Sequence, residues 1–478
     1  MKLTTRIQLM VMMFLMFFTW GAWYGQMGKY LFTTLKASGD QIGSAYATFS
    51  IASIIAPFFV GMIADRFFSA QKVMGVLNLL GAGILYLLIQ NQDPDKFFWY
   101  ILAYTLTFAP NLALSSSIAF NQLATVGSYK WLRLVSYSLL MIGSIGILAK
   151  FLNLITLDES NGNLYLLTFG TFIIAGIIMF FINPDVENKE AFPYVRVLGT
   201  IAWIVVTNII GFYGLGDKVA IYQIAMFTSI AWGLFSFTLP DTPPKATGPA
   251  TASQILGTDA FVLFKDRSFS IFFISSVLVC IPLAFYYAHA NLSLTESHMT
   301  NVENKMSLGQ ASEVLFMLMI PFALQKFGIK KMLIVGLIAW IVRFICFGYG
   351  DGISSEWILY LAIILHGVCY DFFFVTGQIY TDNKAGEKIK NSAQGLITLA
   401  TYGIGMGIGS KLSGIVLDKY TMTDAAGVVS HNWNGVWMIP AGIAAVVLVL
   451  FIIFFKDNNS QKASVVLTPK EGIIRKTV

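Results

Sequence analysis

Charge is what this sequence has least of. Asp, Glu, Lys and Arg make up only 12% of its 478 residues, about half the share of an ordinary soluble domain, while 56% are hydrophobic and the mean hydropathy is +0.70. That balance excludes most cytosolic enzymes and all disordered scaffolds, and it leaves lipid as the place for the apolar surface. Cysteine is nearly absent as well. Cys280, Cys346 and Cys369 each sit inside an apolar run, with no C-x-x-C pair and no histidine at metal spacing, which excludes a disulfide framework and a zinc site. No G-x-x-x-x-G-K-[ST] phosphate loop occurs, so no ATPase is expected within the chain. A net charge of +6 hints at nucleic acid in a soluble protein, but in a membrane chain it is a topology signal, and no nucleic-acid partner is expected.

What is present in abundance is apolar runs long enough to cross a hydrocarbon core of roughly 30 Å. They fall near 8–27, 41–63, 73–91, 97–118, 133–153, 164–182, 197–214, 219–238, 269–290, 308–325, 332–349, 357–378, 392–415 and 435–455, which makes fourteen. Lys2 and Arg6 ahead of the first run resemble a signal peptide, yet Trp20-Gly21-Ala22-Trp23 offers no small-residue cleavage site, so the run reads as a span. With the amino terminus placed in the cytoplasm, inner loops hold 22 of the 31 basic residues and outer loops 8, with Arg343 inside a span. Both termini are therefore expected in the cytoplasm, in agreement with an even number of spans.

The chain divides at residues 240–267, where Asp241-Thr242-Pro243-Pro244-Lys245 and the Gly, Ala and Thr that follow read as an irregular cytoplasmic linker. It separates residues 1–239, an amino-terminal helical bundle, from a six-helix bundle at 268–455; residues 456–478 read as a polar cytoplasmic tail. Late in the chain, Gly403, Gly405, Gly407 and Gly409 form two overlapping G-x-x-x-G pairs, spacing that lets helix backbones pack closely in lipid and softens the helix.

Gly61-Met62-Ile63-Ala64-Asp65-Arg66, followed by Lys72, resembles the G-x-x-x-D-R loop signature of the major facilitator superfamily. Gly61 permits close helix approach, and Asp65 and Arg66 supply charges for pairing or for capping a neighbouring helix. Phe192-Pro193-Tyr194-Val195-Arg196-Val197-Leu198-Gly199-Thr200-Ile201, Gly309-Gln310-Ala311-Ser312-Glu313, Tyr370-Asp371-Phe372-Phe373, Ser392-Ala393-Gln394-Gly395 and Thr19-Trp20-Gly21-Ala22-Trp23 look like the bacterial nucleoside:proton symporters of that superfamily. The resemblance covers nearly the whole chain. It implies an all-α membrane protein with the two-bundle fold of twelve core helices, importing nucleosides with protons through the bacterial cytoplasmic membrane. It implies neither a cofactor nor enzymatic activity, with the proton as coupling ion, the lipid bilayer as surroundings and a monomer as the working unit.

Two carboxylates lie within apolar spans. Glu313 is several residues into one and Asp371 about 14 residues into another, roughly 20 Å deep. A carboxylate so placed is costly unless it is paired, hydrated or protonated, so Asp371 is the leading proton carrier and Glu313 the second; pairing with a neighbouring helix is the structural alternative. A nucleoside pocket needs polar groups for the ribose and base edges and ring faces for stacking. Gln310 and Glu313, at i and i+3, share a helix face. By resemblance they face the substrate, together with Arg196, Thr200, Trp203 and Tyr370. Two positions depart from the family: Tyr287 stands where an amide occurs, and His366 where a tyrosine is expected, so both belong to the expected substrate set with an altered chemistry. His366 is also a further candidate for the proton.

The larger departure is an additional apolar pair at about 125–185, opened by Trp131-Leu132-Arg133-Leu134, turned at Asp158-Glu159-Ser160-Asn161-Gly162 and closed by Asn183-Pro184-Asp185. An inserted hairpin adds two crossings and preserves topology, which gives twelve core helices plus two. Rival readings are a proton symporter of another polar solute, such as a sugar, and more remotely a membrane acyltransferase, because His366 and Asp371 match an H-x-x-x-x-D spacing.

Overall fold

A computed structural model describes residues 3–56, 68–91, 93–122, 134, 136–144, 192–243 and 258–456. The first half consists of α1 (Leu3–Trp23), α2 (Met27–Thr33), α3 (Gly39–Ala56), α4 (Ala70–Gln90), α5 (Pro94–Phe108), α6 (Pro110–Gln122), α7 (Phe192–Phe212) and α8 (Ala220–Ser236). The second half consists of α9 (Arg267–Glu296), α10 (Val302–Tyr349), α11 (Glu356–Tyr370), α12 (Thr376–Thr398), α13 (Met406–Lys419) and α14 (Trp433–Phe454). A two-stranded antiparallel hairpin, β1 (Thr421–Thr423) with β2 (Val429–His431), precedes α14. Eight of the described helical stretches are long and apolar enough to cross a membrane, and Ala220–Ser236 is a shorter apolar helix. The motif residues Gly61, Asp65 and Arg66, the additional pair at 125–185 apart from a few of its residues, and the tail beyond Lys456 lie outside the described residues.

The helices begin and break where side chains dictate. Asp93 accepts a hydrogen bond from the N–H of Asp95 with Pro94 at the first position of α5, and Asp266 accepts from the N–H groups of Ser268 and Phe269 to start α9. The run expected at 97–118 lies within one apolar stretch, Pro94–Gln122, in which α5 and α6 are parted only at Ala109, because Pro110 has no N–H to continue the ladder. The runs expected separately at 308–325 and 332–349 are two helices that meet end to end within α10, parted at Gly328, whose φ of 73° and ψ of 167° are non-helical. The linker is not irregular to its end: Thr258–Lys265 is a 3-10 turn that buries Ala260 and Leu263 and packs on α12.

Two bundles result. In the first, α1 packs on α7 and α8, α4 on α8, and α3 on α5; in the second, α10 packs on α11 and α14, and α9 on α13 and α14. The bundles meet along α3 against α13, α7 against α10 and α2 against α9. One end of this interface is laced shut. Lys29 pairs with Glu303 at 2.8 Å, Asn208 bonds Asn304 and Ser307, and Lys411 pairs with Asp40 at 2.7 Å. The Asp418 carboxylate accepts from the N–H groups of Gly39 and Asp40 at 2.6 and 2.8 Å, capping α3 from the opposite bundle. Contact there is backbone on backbone: a Cβ at Gly43 would lie 2.3 Å from the Ser410 carbonyl oxygen. At the other end, bonds between described residues run within a bundle, as in Gln71 to Asp241 at 2.6 Å and Lys384 to Asp266 at 2.5 Å.

Candidate functional site

Midway along the interface lies a cavity lined from the first bundle by Phe17 and Trp20 of α1 and by Arg196, Thr200 and Trp203 of α7. The second bundle contributes Tyr287, Gln310, Glu313, His366, Tyr370 and Tyr402. All eight residues expected to bind substrate therefore surround one space. The spacing explains it: Arg196 and Thr200, and Gln310 and Glu313, lie about one helical turn apart and share a face of α7 and of α10 respectively.

The first-bundle wall is aromatic and tightly interlocked. Trp20 stacks on Phe49 with ring centroids 5.2 Å apart and meets Trp203 edge to face at 5.6 Å. The Arg196 guanidinium lies 3.9 Å from the Phe17 ring centroid, which holds the cation at the cavity with its planar fork available. The Trp20 indole N–H is buried without a hydrogen-bond acceptor among the described residues.

The second-bundle wall carries the polar groups. Glu313 reaches toward His366, whose Nε2 is 3.9 Å from the carboxylate oxygen, too far for a hydrogen bond. The His366 ring packs 5.2 Å from Tyr286 and 5.6 Å from Tyr370. The hydroxyls of Tyr370 and Tyr402 hydrogen-bond at 3.0 Å. That bond ties together two irregular stretches, since Asp371–Val375 and Leu399–Gly405 are both π-helical. A π segment inserts an extra residue per turn and is frequent at functional sites. The second of them contains two of the four glycines read as packing spacing; Gly405 and Gly409 lie against α9, whereas Gly403 and Gly407 face α3.

Asp371 is not part of the lining. It opens the first π segment, fully buried, and neither carboxylate oxygen has a hydrogen-bond partner among the described residues. It thus lies behind the cavity wall, next in sequence to cavity-lining Tyr370. His366 and Asp371 form no hydrogen-bonded pair, so the H-x-x-x-x-D spacing builds no acyltransferase dyad: one residue faces the cavity and the other is sealed. Three lining residues were not among those expected to touch substrate. Phe17 carried no motif signal, Trp20 was visible only as part of Thr19-Trp20-Gly21, and Tyr402 sits in the glycine-rich stretch read for packing.

Comparison with known proteins follows the same lines. The nucleoside H+ symporter family matches residues 1–190 and 171–460. The transporter YegT of Escherichia coli strain K12 is 37% identical over 467 residues, covering 96% of this chain and 95% of that protein. The xanthosine permease of the same organism is 29% identical over 466 residues, covering 95% and 96%. Among solved structures, the nucleoside transporter NupG superposes with a TM-score of 0.73 at 29% identity, covering 95% of this chain and all (100%) of that one. The POT family transporter PepTSo, at 13% identity and a TM-score of 0.62, shares the fold alone.

Proposed function

The chain belongs to the nucleoside H+ symporter family, and from that premise we propose that it imports nucleosides with protons by alternating access across a bacterial cytoplasmic membrane. It is a multi-span transporter of the major facilitator type and not an enzyme. The observation that carries the substrate reading is the cavity between the bundles, which combines ring faces from Phe17, Trp20 and Trp203 with the polar groups of Arg196, Thr200, Gln310 and Glu313. A flat base fits between indole and tyrosine faces, and ribose hydroxyls, which both donate and accept, suit the amide, the carboxylate and the imidazole. Tyr287 and Tyr370 complete the substrate contacts, and His366 takes the place of a tyrosine there.

Asp371 carries the coupling proton. Its support is position: a carboxylate with no partner, sealed in a π segment beside a lining tyrosine, is stable there only when protonated. Glu313 is in the cavity itself, so substrate and proton meet through Tyr370 and the shared wall. The basic residues favour both termini in the cytoplasm, which sets the laced end outside; the structure then corresponds to the state open toward the cytoplasm. Residues 1–239 and 268–455 are the two rocking bundles, with 240–267 the linker, 125–185 an inserted pair of crossings beside twelve core helices, 456–478 a tail, and a monomer the working unit. Uptake of labelled uridine into proteoliposomes, challenged by other nucleosides, free bases and sugars, tests the reading. Competition by nucleosides and a requirement for an inward proton gradient are expected; competition by sugars alone, or full accumulation on sodium, overturns it.

A further inference from the structure

Arg343 is wholly buried in the second bundle, on the part of α10 beyond Gly328, and no carboxylate lies within ion-pair distance of it among the described residues. A cation in that position is costly unless other groups hold it. Its Nε donates to the Ala362 carbonyl oxygen at 2.9 Å, one Nη contacts His366 Nδ1 at 3.0 Å and Cys369 Sγ at 3.6 Å, and the guanidinium lies 3.8 Å from the Tyr286 ring centroid. Arginine has five donors and no acceptor. The His366 nitrogen that faces it must therefore present a lone pair, which leaves the ring proton on Nε2, the atom aimed at the cavity and at Glu313.

We propose that Arg343 is a positioning residue for the cavity: it locks His366 as a neutral imidazole with its only N–H directed at the substrate, and it bars His366 from carrying the coupling proton. A second proton on this ring has only Nδ1 to occupy, and that site is filled by a donor belonging to a cation. The charged and titratable groups around the ring are Arg343 and Glu313 from α10, Tyr286 from α9, and Cys369 and Tyr370 from its own helix α11. Of these only Glu313 favours a charged imidazole, across 3.9 Å, against an arginine in direct contact. The tyrosine that the family resemblance leads one to expect at this position needs no such lock, because a hydroxyl rotates to donate or accept; a histidine does, because its two nitrogens differ. The identity of the substrate rests on the nucleoside reading, but the state of the ring does not.

The two are therefore tested separately. The chain has four histidines, so 15N-histidine NMR of the full-length protein, with His366→Tyr as the difference, isolates one ring. The expected result is an unprotonated Nδ1 and a protonated Nε2 that persist on acidification to about pH 5, below the range where an ordinary imidazole gains its second proton. A proton on Nδ1 in the wild-type protein overturns the proposal whether or not any nucleoside is transported. In proteoliposomes, Arg343→Met is expected to raise the uridine KM about three- to tenfold, the worth of one oriented hydrogen bond, and to add a step to the pH profile in the imidazole range; Arg343→Lys restores most of the KM. In the His366→Tyr background, Arg343→Met is expected to change neither. A loss in that background equal to the loss in wild type makes Arg343 a structural residue and overturns the positioning role. Failure of the wild-type protein to take up uridine overturns the nucleoside reading and leaves the NMR result to decide the ring.

Discussion

The two bundles put different materials into the same cavity. The first offers Phe17, Trp20 and Trp203 as ring faces, with one cation, Arg196, held over a ring. The second offers Gln310, Glu313, His366 and a bonded pair of tyrosines, with Asp371 sealed behind them. The backbones differ in the same sense: among the described residues both π segments, Asp371–Val375 and Leu399–Gly405, belong to the second bundle. Stacked rings tolerate any flat ligand and hold it by area, whereas a carboxylate that gains and loses a proton changes the energy of its surroundings with each cycle. Under the proposed function, the first bundle is the fixed face for the base, and the second couples occupancy to protonation and to shape. Each prediction below either breaks that division or narrows it.

The largest effect is expected at Asp371. Asp371→Asn keeps size and polarity while removing the titration, so it mimics the protonated state. Counterflow at equal concentrations should persist, and uphill accumulation should fall to background and lose its pH dependence. Concentrative uptake by this variant with the wild-type pH profile makes Asp371 structural and moves the proton to Glu313. Next come the polar residues of the same wall. Gln310→Ala and Glu313→Ala each leave a buried partner of the substrate unmatched and should weaken uridine binding by about 1 to 3 kcal/mol, with Glu313→Gln milder if the carboxylate serves as a hydrogen-bond acceptor. Calorimetric affinities unchanged in both alanine variants place the binding site elsewhere.

The ring face should respond less, and differently. Trp203 meets Trp20 edge to face at 5.6 Å, and Trp203→Leu retains apolar volume while removing the quadrupole contact. A loss of about 1 kcal/mol in affinity, roughly fivefold, is expected for every nucleoside alike, with the proton dependence untouched. A base-selective loss, or a shifted pH profile, means that the first bundle participates in coupling and the division fails.

How much of this was legible in the sequence follows from what each feature depends on. The lining set on α7 and α10 rests on one-turn spacing, and a helix presents residues three and four apart on one face whatever its neighbours do. The interruption before Pro110 and the caps at Asp93 and Asp266 depend on equally local chemistry, although the apolar runs were read without them. Relations between helices were not legible. Arg343 read only as a basic residue inside a span, because nothing in its own segment reveals that His366, on another helix, accepts from it. Asp371 read as deep, but what its carboxylate meets is decided by neighbouring helices: it is buried with neither oxygen hydrogen-bonded among the described residues. The break at Gly328, by contrast, was legible, because Lys326, Lys330 and Lys331 separate the apolar runs at 308–325 and 332–349.

The smallest expected effect concerns the end of the interface where the bundles are bound together. Asp418, at the close of α13, caps α3 of the opposite bundle through the N–H groups of Gly39 and Asp40, so its charge meets the positive end of a helix that moves with the other half. A capping carboxylate is worth about 0.5 to 2 kcal/mol. That energy is present only while this end is closed, so it acts on the balance between the two facings and not on the fold of either bundle. Asp418→Ala should shift the population toward the opposite facing by a factor of about five, for a loss near 1 kcal/mol. Spin labels on the two bundles at this end should read the shift as a larger share of long distances, while the thermal midpoint stays nearly constant. Lys29→Met removes the neighbouring pair with Glu303 at 2.8 Å and should act in the same direction. Because the closed end holds several such contacts, the two substitutions together should shift the balance further than either alone. An unchanged distance distribution in the double variant means that closure rests on the backbone contact of Gly43 with Ser410, and that the charges are bystanders to a steric fit.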